Sequence, residues 1–340
     1  MGADGGVAPM VEGAASLSLD AHDTSLLLVG DERSIREALS RCSHAASRVT
    51  VLHAQSSVTM TDTPSEALDR MPDASILLAA RAVADGSADV LVSAGNTGAV
   101  ILAASRTFSR LPGVRRAALA AVIPTLEPHG PHADPFALML DVGATLETTA
   151  DELVSFAVMG SAYSRIVSNI ERPRVGLLSN GTEPKKGTKA VVMAHERLAR
   201  TNAVAFAGNI EGLDVPRGSV DVVVCDGFVG NVVLKMLEGV ADAARGIAKN
   251  AYAARLRYKL GLMLLSQGLR RVSELVDWKQ YGGAPILGFD RLVIKAHGRS
   301  NARAVRNALK VATKTVERDL IAAIATGLDA TRESAEPVAP

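Results

Sequence analysis

Aromatic residues are scarce, at 3% of 340, so the chain lacks the stacking faces that hold single-stranded nucleic acid in a basic groove. Neither sign of charge predominates. Against 37 basic residues stand 36 acidic ones, a net charge of +1, so nothing steers a polyanion such as nucleic acid and any anion site must be local. Cys42 and Cys225 are the two cysteines, too few for a disulfide framework or a thiolate metal site, and their rarity suits a reducing compartment. No apolar run approaches the ~18 residues of a membrane span, and the N-terminus has no basic segment leading into an apolar one. A cytoplasmic location is expected, with no metal and no cofactor. Three fingerprints are missing as well: the Walker phosphate loop, the glycine-rich dinucleotide turn and the serine nucleophile elbow.

What is present is globular composition, 48% hydrophobic and 21% charged, in a length that suits two lobes around a cleft, residues 1–330. Short β-branched and aliphatic runs read as strands: Ser25–Gly30, Arg48–Ala54, Asp89–Ser93, Phe136–Asp141, Arg174–Ser179, Ala203–Ala207, Asp221–Cys225 and Leu292–Lys295. The runs are continuous, as in strands buried on both faces. Helical patterns over Ser75–Asp85, Asp151–Val167, Lys189–Arg200, Val229–Lys249 and Ser300–Leu320 separate them, which predicts an α/β fold with a mainly parallel sheet. Proline and glycine crowd Ala118–Asp141, predicting a crossing loop in which His129 and His132 are solvated rather than metal-ligating. Residues 251–280 read as a protruding helical hairpin with an apolar tip, Leu260–Leu265, flanked by Arg255, Arg257, Arg270 and Arg271. Residues 331–340 read as a disordered tail.

One device repeats, a strand ending in a small glycine-containing turn that opens a helix. It occurs at Ser93-Ala-Gly95-Asn96-Thr97-Gly98, at Asp141–Thr145, at Asn180–Gly187 with Thr182, Lys185 and Lys186, and at Asp226-Gly227 through Asn231. Such turns lie at strand C-termini, where glycine lets backbone N–H groups approach an anion, and the repetition points to a phosphate-bearing site. A second cluster, Lys295-Ala-His297-Gly298, ends another strand and is expected to bring a cation and an imidazole to the same sheet edge. Cys225, within Val222–Asp226, reads as a small buried strand residue and not as a nucleophile.

At these motifs the chain resembles the phosphate acyltransferase family of bacterial phospholipid synthesis, often called PlsX. The likeness runs from Val11–Ala14 and Leu28–Asp31 through Ser93–Ala99, Leu140–Ala144, Met159–Tyr163, Pro173–Leu178, Gly181–Glu183, Lys185–Gly187 and Gly208-Asn209 to Asp226–Asn231, Tyr281–Ala284 and Ile294–Gly298. It implies a three-layer α/β/α sandwich like isopropylmalate dehydrogenase and phosphotransacetylase, a homodimer, and a cleft between lobes. It also implies a reaction: fatty acyl-ACP and inorganic phosphate give acyl phosphate and free acyl carrier protein, for a membrane glycerol-phosphate acyltransferase to use. The chain departs from the family pattern in three places. It opens at Met1-Gly-Ala-Asp4 where the family has an apolar strand before Met-Gly-Gly-Asp. Ala67–Ser75 carries only Arg70 where many members have several basic residues, and Asp141–Thr145 ends in a hydroxyl where the family has an amide.

The implied chemistry is direct attack of a phosphate oxygen on a thioester carbonyl, which needs positioning, oxyanion donors and charge but no enzyme nucleophile. Asn96, Thr97 and the Gly95–Gly98 amides, with Ser93, Thr182, Asp141, Asp226 and Gly227 around them, are assigned to substrate and phosphate. Lys185 or Lys186 is assigned to phosphate charge, Asn231 to the carbonyl, and His297 with Lys295 to the opposite side of the cleft. Two alternatives stand: a coenzyme A-linked phosphotransacetylase-like enzyme, and a diverged non-catalytic paralogue that binds carrier protein or lipid-synthesis partners. The apolar tip with basic flanks adds an expected peripheral contact with the inner face of the membrane.

Overall fold

The computed structural model describes residues 2–254, 261, 263–265, 268 and 283–333. In chain order the helices are α1 (Ala8–Asp20), α2 (Glu32–Leu39), α3 (Pro64–Arg70), α4 (Ser75–Ala84), α5 (Thr97–Thr107), α6 (Ala150–Val167), α7 (Lys189–Leu198), α8 (Asp214–Arg217), α9 (Gly227–Ala254), α10 (Ala302–Glu317) and α11 (Leu320–Glu333). The strands are β1 (Leu26–Gly30), β2 (Val49–His53), β3 (Val90–Ser93), β4 (Ala118–His129), β5 (Asp134–Leu140), β6 (Arg174–Leu178), β7 (Ala205–Ile210), β8 (Val222–Val224), β9 (Ala284–Leu287) and β10 (Leu292–Lys295).

Eight strands form one sheet in the order β3-β10-β9-β4-β5-β8-β6-β7, while β1 and β2 pair in parallel as a separate ribbon. The pairs β3/β10, β5/β8, β8/β6 and β6/β7 are parallel; β10/β9, β9/β4 and β4/β5 are antiparallel. Residue alternation distributes the core between two helical layers. In β10, Val293 packs with α4 and α5 through Ala80, Val83, Val100 and Ala104, whereas Ile294 faces Ala308 and Ala312 of α10. Val222 and Val224 of β8 join the α6 side, and Val223 joins the side where Val233, Leu234 and Leu237 of α9 pack. The result is the three-layer α/β/α arrangement, with a mostly parallel sheet.

Helix α6 begins with a capping box: the Thr149 hydroxyl accepts from Glu152 N–H, and the Glu152 carboxylate accepts from Thr149 N–H. Thirteen consecutive residues from Leu153 to Arg165 then include only Ser161 and Arg165 away from the interior, so this helix is the centre of the largest core cluster.

Three expectations need correction. The segment Ala118–Asp141 is not a crossing loop but the long hairpin β4–β5. Its prolines are tolerated because β4 pairs with β9 only at Ala118 and Leu119, leaving the rest of that side without ladder bonds for a proline to break. His129 is therefore not solvated: it ends β4 with its side chain wholly buried, and its Nδ1 donates to Asp221 Oδ1 at 2.5 Å. His132 does lie in the exposed hairpin turn. At the C-terminus α11 runs through Glu333, past the expected start of the tail. The expected hairpin over 251–280, and the rest of the tail, lie largely outside the described residues.

Candidate active site

The loop from Asp141 to Thr145 folds around its own first side chain. The Asp141 carboxylate accepts from the N–H groups of Leu119, Gly143, Ala144 and Thr145 and from the Thr145 hydroxyl, at 2.7–3.1 Å. Asp141 is completely buried, so this ring of donors compensates a charge that burial would otherwise make costly. Both Asp141 carboxylate oxygens are thereby turned toward the loop backbone and the Thr145 hydroxyl. Thr145, where the family pattern has an amide, serves both neighbours: its hydroxyl donates to Asp141 and accepts from Gly227 N–H at 3.1 Å. That bond locks the start of α9 to the loop.

Close approach continues along the first turn of α9. Asp226 Oδ1 accepts from Val229 N–H at 2.8 Å, and a Cβ on Gly230 would stand 1.9 Å from the Asp141 carbonyl oxygen. Asn231 follows, exposed, with its side chain beside Gly143, whose φ of +138° only glycine adopts readily. The Asn180–Gly187 loop leaves β6 at the same end of the sheet, since Leu177 of β6 and Leu140 of β5 both flank Val224 of β8 in parallel register. Thr182, Lys185 and Lys186 are exposed on it. Two residues given no site role from the sequence hold this loop: Asn209 of β7, part of the Gly208-Asn209 motif, donates from Nδ2 to the carbonyls of Glu183 (2.9 Å) and Lys186 (3.5 Å), and His195 of α7 contacts Asn209 Oδ1.

A second set of candidates gathers where β3 and β10 end side by side, Ser93 opposite Lys295. Asn96 caps α5 by accepting from Ala99 N–H, and its Nδ2 donates to the carbonyls of Thr59, Met60 and Asp62. Its side chain is thus bonded within the fold, and what the turn offers an anion is the backbone of Thr97 and Gly98, the first N–H groups of a helix having no intrahelical partner, whereas the Gly95 N–H donates to the Ser93 hydroxyl at 3.2 Å. Lys295 is buried, with Nζ donating to the Ala296 carbonyl. Burial brings its pKa down to about 8, against an opposing pull from the Asp4 carboxylate. His297 lies on the exposed loop that follows, its Nδ1 accepting from Arg299 N–H at 3.2 Å. Partial desolvation, then the Lys295 charge, lowers the imidazole pKa; Glu238 opposes this while Lys235 and Arg299 add to it.

Contrary to the expectation from sequence, the two sets do not share a sheet edge. Three antiparallel pairings lie between β10 and β5, so β3 and β10 run opposite to β5, β8, β6 and β7. The offset is nevertheless small. Lys295 pairs with Ala284 in β9, and two residues on, Ile286 pairs with Leu119, whose N–H bonds to Asp141. Three strand spacings and two residues of rise put the sets roughly 15 Å apart. Helix α9 spans that interval: it starts at Asp226-Gly227 and carries Lys235 and Glu238 into electrostatic contact with His297. Cys225, behind this site, is buried, and burial together with Asp226 and Asp141 pushes its thiol pKa up. Among the described residues no three His, Cys, Asp or Glu side chains gather as a metal site.

Residues 1–323 match the family described as "Fatty acid synthesis protein". The chain belongs to this family. Curated relatives named phosphate acyltransferase include those of Halothermothrix orenii, 37% identical over 325 residues and covering 95% of each chain, and of Nitratidesulfovibrio vulgaris, 40% identical over 318 residues, 94% of this chain and 90% of the relative. The relative from Desulfitobacterium hafniense is 40% identical over 322 residues, 94% and 93%. Among solved structures the fold is similar to a phosphotransacetylase from Streptococcus pyogenes, with a TM-score of 0.60, 16% identity and coverage of 93% and 92%. It is similar also to the EutD phosphotransacetylase from Staphylococcus aureus, with a TM-score of 0.55, 17% identity and coverage of 95% and 92%. In this family member the exposed Lys185-Lys186 pair, Asn231 and the Asp141 ring therefore sit on one sheet end, with the Lys295–Gly298 corner reached along α9.

Proposed function

We propose that the chain transfers a fatty acyl group from acyl carrier protein to inorganic phosphate, giving acyl phosphate and free carrier for phospholipid synthesis. The observation that carries this reading is the exposed Lys185-Lys186 loop standing at the sheet end where Asn231 lies beside the buried Asp141 ring. Relatives named phosphate acyltransferase over more than nine-tenths of the chain support the substrate assignment.

A phosphate oxygen attacks the thioester carbonyl carbon and the carbonyl π pair moves onto oxygen. When that pair returns, the carbon–sulfur bond breaks and sulfur leaves with its electrons. The proton lost by the phosphate ends on sulfur, so hydrogen phosphate and thioester become acyl phosphate and thiol. Lys185 and Lys186 neutralise the phosphate, Asn231 donates to the oxyanion, and Lys295 with His297 lines the opposite side of the cleft. No enzyme nucleophile enters, in keeping with a Cys225 thiol held protonated by burial.

Production of acyl phosphate from palmitoyl-ACP and inorganic phosphate, compared with palmitoyl-CoA as donor, tests the reading. Turnover with the carrier-bound donor is expected, lowered at least ~100-fold by Lys185→Ala or Asn231→Ala with the fold intact. Unchanged kinetics in both variants would remove the site assignment, and preference for the coenzyme A thioester would favour the phosphotransacetylase-like alternative.

Two surface features extend the proposal. Phe228, Val232, Met236 and Val240 recur every four residues along α9 and are exposed, on a side of the helix distinct from Val233, Leu234 and Leu237. An apolar stripe of this kind suits a subunit contact in a homodimer. Met263, Leu264 and Leu265 are also exposed, Leu264 by 88%, and with the basic residues around them in sequence they suit reversible contact with an anionic bilayer. No described helix is long and apolar enough to cross a membrane. Such contact would bring the acyl phosphate close to a membrane glycerol-phosphate acyltransferase.

A further inference from the structure

Strand β7 contains an irregularity with a specific consequence. Val175 of β6 is opposite Phe206 and Gly176 is opposite Gly208, so Ala207 is an extra residue, and Gly208 takes a φ of +95°. In a regular strand, residues 206 and 209 would point to opposite faces. The bulge reverses that parity: Phe206 is opposite Val175 and Asn209 opposite Leu177, two residues apart on one face. His195 of α7 touches both, its Nδ1 2.9 Å from Asn209 Oδ1 and its ring edge-on to Phe206 with centroids 5.1 Å apart. Asn209 is buried, at 5% exposure.

The hydrogen-bond inventory fixes every role. Asn209 Nδ2 faces the carbonyls of Glu183 and Lys186, so it donates, and Oδ1 is left to accept; the His195 Nδ1 therefore carries its hydrogen. The two carbonyls bracket Pro184 and Lys185, and Lys186 N–H bonds back to Glu183 O at 3.0 Å, closing a tight turn whose base is held by Asn209. Thr182–Lys189 is otherwise exposed. Without that attachment, two long lysine side chains on a solvated loop would lose conformational freedom only when an anion bound, and binding would be weaker by that cost.

We infer that Asn209 and His195 are positioning residues for the phosphate site: through the β7 bulge they pre-organise the Lys185-Lys186 turn so that its charges meet the incoming phosphate in place. This rests on the reading of Lys185 and Lys186 as the phosphate-charge residues. Neither Asn209 nor His195 touches the reacting atoms, so their replacement acts on phosphate capture rather than on the chemical step.

The test uses the full chain and two readouts. Asn209→Asp keeps the side-chain volume but removes both N–H donors; His195→Ala removes the group that orients the amide; His195→Gln restores a donor. The KM for inorganic phosphate is expected to rise ~10-fold in the first two variants and stay within ~2-fold of the parent in the third, while kcat and the KM for palmitoyl-ACP change by less than ~3-fold. Independently of activity, limited trypsin digestion followed by mass spectrometry reads cleavage after Lys185 and Lys186, expected to quicken ~10-fold in the same two variants. Thermal melting confirms that each variant is folded; His195 is only partly buried, so its variants carry the test if Asn209→Asp does not fold. Cleavage unchanged in folded variants overturns the inference, because the turn is then held by something else. Faster cleavage with an unchanged KM for phosphate instead rejects the turn as the phosphate site, a failure of the functional reading.

Discussion

Asp221 shows how a buried carboxylate becomes a structural asset. Burial alone would raise its pKa, but hydrogen bonds from His129 and from the side chain and backbone of Arg174, with the Arg174 charge, hold it at about 2. The folded value lies below the ordinary 3.8, so this contribution is fully present above the unfolded-state pKa and fades as the pH falls through the folded one. The difference corresponds to about 2 kcal/mol. Urea midpoints are expected to fall between roughly pH 4 and 2 in the parent, and Asp221→Asn should flatten that fall while lowering stability at neutral pH; equal slopes would show that other carboxylates dominate. Cys225 makes the opposite case. Its thiol is buried with a raised pKa and contacts the Asp141 carbonyl at 3.4 Å. Cys225→Ser is expected to retain activity within ~3-fold, and mass spectrometry of quenched turnover should find no acyl group on Cys225. An acyl-enzyme trapped there would overturn direct attack.

Helix α9 carries both tight and open glycines, and they should respond oppositely to the same substitution. Gly230→Ala places a Cβ 1.9 Å from the Asp141 carbonyl oxygen, so either the helix or the loop must move. A melting-temperature loss of several degrees and a drop in turnover are expected, since Asn231 moves with the helix. Gly239 has nothing within 4 Å of an added Cβ, and Gly239→Ala is expected to be neutral or to stabilise by up to ~1 kcal/mol through helix propensity. A thermal melt of both variants separates the two effects; equal losses would mean that the Gly239 side of α9 is covered in solution. The existence of this helix was legible as an apolar repeat over Val229–Lys249. Its first two residues, Gly227 and Phe228, fall outside that range, because Gly227 carries no periodic signal and is held at the start of the helix by its N–H bond to the Thr145 hydroxyl.

For the whole molecule, the exposed apolar residues divide into a stripe on α9 and a cluster at Met263–Leu265. If the first is a subunit contact and the second a membrane contact, substitutions separate them. Leu262→Glu with Leu264→Glu is expected to abolish co-sedimentation with vesicles containing anionic lipid while the dimer persists in sedimentation velocity. Met236→Asp with Val240→Asp should yield monomer that still binds vesicles. A monomeric Leu262→Glu/Leu264→Glu variant, from a parent that never bound vesicles, would assign the tip to the subunit interface instead.

Local chemistry determined much of this protein from sequence: strands as continuous apolar runs, helices as periodic ones, and glycine turns where strands end, because each signal arises between residues close in the chain. The buried reading of Cys225 belongs to the same class. Pairing direction belongs to the tertiary structure. That β4 and β5 form a hairpin through a proline-rich stretch, and that β3 and β10 consequently run against β5, β8, β6 and β7, depends on ladders between distant segments. So does the fate of individual polar groups: Asn96 looked like a phosphate ligand yet binds the 59–62 loop, Asp141 is enclosed by its own turn, and His129 pairs with Asp221, ninety-two residues away. Sequence supplies the donors and acceptors; only the folded chain, by bringing remote backbone groups within 3 Å or so, decides which of them are already satisfied and which remain for a substrate.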